Sequence, residues 1–116
     1  MAVQIWHNPR CSKSRQALKI VEESGAEPEI RRYLDDPPSI AELDRVLRML
    51  EMTPRELARL NEGVAREMEL KDKDLSRQEM LEILVRHPIL IERPIVISDD
   101  GRAVLGRPPE AVREVL

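Results

Sequence analysis

The residue in this chain best suited to covalent chemistry is its only cysteine, Cys11, set between Pro9-Arg10 and Ser12-Lys13-Ser14-Arg15. The thiolate is the nucleophilic form of cysteine, and cations or a helix start favour it. Arg10, Lys13 and Arg15 supply the cations, and no Asp or Glu precedes Glu22. At a helix start the sulfur also meets unpaired N–H groups and the positive end of the helix dipole. Together such effects bring a cysteine pKa from about 8.5 down to roughly 3.5–7.5. Arg10 and Arg15 are therefore expected to stabilise the thiolate, and His7 to add hydrogen bonding or charge. The same N–H groups can hold an oxyanion, so nucleophile and anion cradle coincide. A lone cysteine is commonly a small buried hydrophobe. Polar and cationic neighbours argue instead for a solvent-facing thiol.

Cys11-x-x-Ser14 has the spacing of a redox motif whose second cysteine is replaced by serine. Ser14 is placed either to hydrogen-bond the thiolate or to cap the helix. With no other cysteine, an oxidised intermediate on Cys11 has no internal thiol to resolve it. A second thiol must come from outside, most simply glutathione followed by glutaredoxin. A phosphatase loop would need arginine six residues after the cysteine, where this chain has Ala17, so any arginine clamp must come from distant parts of the sequence.

The surrounding pattern supplies elements to position such a site. Val3-Gln4-Ile5-Trp6 reads as a strand, and His7 to Arg10 as a loop. Ala17, Ile20, Val21 and Ser24 follow helical spacing from Cys11 onward, with Gly25 placed for a left-handed cap. Glu29 to Leu34 reads as a second strand, so residues up to 34 form a βαβ unit with parallel strands. Asp36-Pro37-Pro38 then leads into a helical block at 39–87. It carries three capping boxes: Ser39 with Glu42, Thr53 with Glu56, and Ser76 with Glu79. Pro54 sits at a first helical position, and Leu43, Val46, Leu47 and Leu50 form an apolar stripe. Lys71 to Asp74 reads as a solvated loop. Ile95-Val96-Ile97 and Ala103-Val104-Leu105 flank an Asp100-Gly101 turn and read as a hairpin. A last helix opens at Pro108-Pro109-Glu110. The fold class is α/β, a thioredoxin-like fold with a mixed four-stranded sheet. The whole of 1–116 reads as a single domain, with the helical insertion, about 39–87, between its βαβ and ββα halves.

Composition narrows the function classes. A chain of 116 residues with net charge -3 has no general attraction for nucleic acid or acidic membranes. Trp6 and Tyr33 are its only aromatics, too few to stack a series of bases. No apolar run reaches signal-peptide or transmembrane length. A single cysteine agrees with a reducing compartment, so a cytoplasmic location is expected. No metal-ligand pattern and no bound cofactor is expected.

Three segments, HNPRCSKSR at 7–15, HPILIERPIV at 87–96 and LGRPPE at 105–110, resemble the signatures of the glutaredoxin-coupled arsenate reductase family. The likeness runs nearly end to end and includes Pro28, Tyr33, Leu34, Pro37 and Pro38. It implies that Cys11 attacks arsenate, that glutathione displaces the adduct, and that glutaredoxin completes reduction to arsenite. It implies that Arg59, Arg93 and Arg107 handle the oxyanion and that His7 tunes the thiol. It also implies a cis proline at Pro94. Around Asn61-Glu62-Gly63 the chain departs from the family pattern, which puts Arg59 in question. His87 is read as structural. A related glutathione-linked thiol oxidoreductase is the alternative. A redox-responsive regulator binding RNA polymerase is weaker, because such proteins use two cysteines.

Overall fold

Val3 and Ile5 are buried on one face of the strand Ala2–Trp6, while exposed Ala2 and half-buried Gln4 lie on the other, and that strand is an inner one of the sheet. The computed structural model describes residues 2–116 and divides the chain into two units. One runs up to Asp36 and resumes at Arg93–Leu116. The other is Pro37–Glu92.

The first unit holds β1 (Ala2–Trp6), α1 (Ser12–Glu23), β2 (Glu27–Arg31), β3 (Ile95–Ser98), β4 (Ala103–Leu105) and a terminal 3-10 helix (Pro109–Val115). The sheet order is β2-β1-β3-β4, with β1 parallel to β2 and antiparallel to β3, and β3 antiparallel to β4. This is the expected mixed four-stranded sheet. Val3, Ile5 and Val96 pack with Ala17 and Val21 of α1 and with Val112 and Val115 of the terminal helix. Gly25 takes φ +84° after α1, the left-handed ending its lack of Cβ allows.

Two boundaries differ from the sequence reading. The second strand is Glu27–Arg31, not 29–34. Pro28 lies inside it, opposite Val3, which β2 tolerates as an outermost strand with one unpaired side. The chain leaves the strand in a turn, where Arg32 C=O accepts from Asp35 N–H at 3.0 Å and Asp36 N–H at 2.9 Å. The closing helix is 3-10 throughout rather than α.

The second unit contains α2 (Ile40–Leu50), α3 (Pro54–Leu57), α4 (Gly63–Glu67) and α5 (Arg77–Arg86), with 3-10 turns at Leu70–Asp72 and Pro88–Leu90. Ser39 Oγ accepts from Glu42 N–H, and Thr53 and Ser76 form reciprocal capping boxes with Glu56 and Glu79. α5 packs against α2 and α3. The segment expected to be a solvated loop begins as a 3-10 turn. The Arg55 guanidinium holds it by donating to Leu70 C=O at 3.0 Å and Lys73 C=O at 2.6 Å. His87 caps α5, its N–H donating to Ile83 C=O.

Register decides what the sheet presents at one end. Arg31, Trp6, Ile95 and Leu105 form a row across the four strands. The next residue beyond each, at the same end of the sheet, is Arg32, His7, Pro94 and Gly106.

Replacing Ser76 by Ala removes one half of the α5 capping box. We expect a stability loss of about 1 kcal/mol, read as a lower urea midpoint with unchanged slope.

Candidate active site

The loop after β1 is held as a tight turn. His7 N–H extends the parallel pairing by donating to Arg31 C=O at 2.8 Å, and Cys11 N–H donates back to Asn8 C=O at 3.0 Å. Asn8 Oδ1 accepts from Arg10 N–H at 3.0 Å. Cys11 then has extended backbone angles while its C=O accepts from Arg15 N–H, which makes it the N-cap of α1. The thiol is recessed, the residue being 8% exposed, where a solvent-facing position was expected. Burial is the largest influence on it and pushes its pKa up. The Ser14 N–H, the Arg93 charge, the Lys13 N–H and a hydrogen bond from Arg93 outweigh burial and hold the thiol below its ordinary value.

His7 and Ser14 are both buried and form one hydrogen-bonded pair, Nδ1 to Oγ at 2.6 Å. Ser14 Oγ also accepts from Asn8 N–H at 3.0 Å. The serine hydroxyl thus engages His7 and Asn8 instead of the sulfur or the helix cap, and its backbone N–H serves the sulfur. Burial, then the charges of Arg32 and Arg15, keep His7 below its ordinary value, so the imidazole is neutral at neutral pH. It bears on Cys11 through position, by fixing the residue whose N–H faces the sulfur.

Arg107 Nη2 lies 3.7 Å from Cys11 Sγ, and its Nε donates to Arg93 C=O at 2.8 Å. The sequence therefore brings His7, Cys11, Ser14, Arg93 and Arg107 together across residues 7–107. Both Arg93-Pro94 and Arg107-Pro108 are cis. Gly106 sits between the two arginine segments and donates its N–H to Pro94 C=O at 2.8 Å. A Cβ there would lie 2.7 Å from Pro94 Cγ and 3.1 Å from Val112 Cγ1, so only glycine fits without displacing Pro94.

The other predicted cations have partners or surroundings of their own. Arg15 Nη1 donates to Pro9 C=O at 2.9 Å and Arg10 is exposed, while the leading charge that favours the Cys11 thiolate is that of Arg93. Closeness in sequence did not point to this charge, which comes from a distant segment. Arg59 belongs to the second unit. Its guanidinium meets Glu62 at 2.5 Å and Glu92 at 3.9 Å, and donates to Ile89 C=O at 3.2 Å. Arg32 and Gly106 were missed as site residues. The parallel register that sets Arg32 beside His7 was a signal available for the first. Among the described residues no group of His, Cys, Asp and Glu side chains can hold a metal ion.

Comparison with known proteins matches residues 6–115 to the ArsC family. The chain belongs to the ArsC family. The uncharacterized protein YfgD of Escherichia coli is 45% identical over 115 residues, covering 98% of this chain and 96% of that protein. An arsenate reductase of Neisseria meningitidis is 40% identical over 115 residues, covering 98% of this chain and 97% of its own. The solved arsenate reductase of Vibrio cholerae superposes with a TM-score of 0.95 at 43% identity, covering 100% of this chain and 98% of the other. The α/β architecture is thus the thioredoxin-like fold of ArsC proteins.

Two outcomes test this geometry. Arg93→Ala removes a positive charge and a donor that favour the thiolate, so the Cys11 midpoint rises in an ultraviolet thiolate titration. Gly106→Ala forces Pro94 to shift, with an expected cost of about 1–3 kcal/mol in chemical denaturation.

Proposed function

We propose that this ArsC protein reduces arsenate to arsenite, with Cys11 as nucleophile and glutathione and glutaredoxin as the external thiols. The observation that carries the reading is the recessed sulfur whose pKa is lowered by Arg93 and by α1 N–H groups, with Arg107 alongside. Relatives named as arsenate reductases at about this length support the substrate.

In this mechanism the Cys11 thiolate attacks arsenic, a sulfur–arsenic bond forms, and one arsenate oxygen leaves as water after protonation. Arg93 and Arg107 offer N–H donors in planar forks to the remaining oxygens, which suits a tetrahedral anion. Reduction from As(V) to As(III) needs two electrons, supplied as two external thiols join in a disulfide. One arsenate and two thiols give arsenite, one disulfide and one water, and Cys11 returns as thiolate. Phosphate has the same shape and charge but cannot be reduced by thiols, so selectivity lies in the redox step. His7 and Ser14 set the turn that aims the Ser14 N–H at the sulfur.

A second reading, a thiol oxidoreductase acting on glutathione mixed disulfides, draws on Arg59. Its guanidinium is already matched by Glu62 and Glu92, which leaves two arginines instead of three for an oxyanion. The deciding assay combines purified protein, arsenate, glutathione, glutaredoxin and its reductase, and follows NADPH consumption. Arsenate-dependent oxidation is expected. Cys11→Ser should abolish it, and Arg107→Ala should impair oxyanion use far more than thermal stability. If NADPH oxidation stays arsenate-independent while mixed disulfides are reduced, the second reading replaces the first.

A further inference from the structure

The loop that carries Cys11 also forms one wall of a cleft of about 360 Å³. Asn8, Pro9 and Arg10 line it from this loop, Arg32 and Asp35 from the turn after β2, and His7 lines it as well. Its charged side chains are two guanidiniums and one carboxylate. Among the described residues none of these three side chains takes part in a hydrogen bond or ion pair. Their neighbours differ: Arg31 Nε donates to Asp36 C=O at 3.0 Å and lies 3.5 Å from its carboxylate. The turn therefore spends one cation and one anion on itself and leaves the next pair turned to the cleft.

The wall and the nucleophile are parts of one fixed turn. Asn8 holds the N–H groups of both Arg10 and Cys11. Arg10 and Cys11 are consecutive, with Cα atoms about 3.8 Å apart. Cys11 follows the lining residue Arg10 without itself lining the cleft, so a molecule held at Arg10 and Arg32 and about as long as an extended tripeptide, on the order of 10 Å, lies one residue from the nucleophile. The charges specify such a molecule: two carboxylates for the arginines, one ammonium for the aspartate, and a reactive group between them.

We propose that this cleft binds glutathione, with Arg10 and Arg32 taking its two carboxylates and Asp35 its γ-glutamyl ammonium, so that its sulfur is delivered to Cys11. This rests on the reading above that glutathione is an external thiol of the reaction. It assigns to Arg32 and Asp35 a binding role in that step, and to Arg10 a place in substrate capture in place of the thiolate stabilisation its sequence position suggested.

The test does not require arsenate. With glutathione disulfide, the Cys11 thiolate attacks one sulfur, the disulfide bond breaks, a protein–glutathione mixed disulfide forms and one glutathione thiolate leaves. Hydroxyethyl disulfide undergoes the same exchange but has no carboxylate or ammonium. The rates of mixed-disulfide formation on the full chain, followed by mass, give a preference ratio for the charged disulfide. The wild-type ratio should favour glutathione disulfide after correction for the intrinsic reactivity of each. Arg32→Glu should lower that ratio about tenfold, in keeping with the loss of a charge-assisted carboxylate contact. Arg32→Lys should recover most of it. Arg32→Gln should lower it less, and serves if the charge reversal unfolds the protein. A wild-type ratio with no preference, or equal slowing of both disulfides in the variants, overturns the proposal. A protein that fails to turn over arsenate but keeps the Arg32-dependent ratio retains the cleft assignment and loses only the arsenate reading.

Discussion

A sulfur covered from water can bear negative charge only where fixed donors replace the lost hydration, and this trade governs the site. Burial at Cys11 opposes ionisation more strongly than any single neighbour favours it. The balance is reversed by several modest contributions acting together: two peptide N–H groups at the start of α1 and the Arg93 guanidinium. None of these is free to wander. The N–H groups belong to a helix whose Ala17 and Val21 are buried in the sheet core, and Arg93 leads directly into the buried β3. The chemistry of one atom is thus tied to the packing of the first unit as a whole.

The register of the sheet gathers the parts. β1 ends where β3 begins because they are antiparallel, and β4 ends there because it reverses again. The residues just outside that row come from positions widely separated in the chain, yet they share one end of the sheet. Gly106 makes the arrangement tight. Its bare Cα lets Pro94 approach, and its N–H binds the Pro94 carbonyl, so the two arginine-bearing segments keep a fixed spacing.

Much of this was legible from the sequence because local rules dominate there. The helix from the cysteine to Gly25, the boxes at Thr53 and Ser76 and the Asp100-Gly101 hairpin are short-range patterns with short-range causes. The failures share a different origin. The second strand was placed after Pro28, but an outermost strand can hold a proline on its unpaired side. The closing residues 109–115 have helical spacing, and spacing does not separate α from 3-10 in so short a stretch. Arg10 and Arg15 were weighed by distance along the chain, while the sulfur responds to distance in space and therefore to Arg93. Ser14 was expected to use its hydroxyl on the thiolate or the cap. Only the buried His7 beside it explains why that hydroxyl turns elsewhere.

The same surroundings push the two titratable side chains of the loop toward opposite charge outcomes, a neutral His7 and an ionised Cys11. Burial and the charges of Arg32 and Arg15 keep His7 uncharged at neutrality. Among the site residues, the sulfur is the group that its surroundings tilt toward the ionised form. Acid therefore silences this nucleophile at a lower pH than it would an ordinary cysteine, so the covered sulfur keeps its reactivity further into the acid range than an unsupported one.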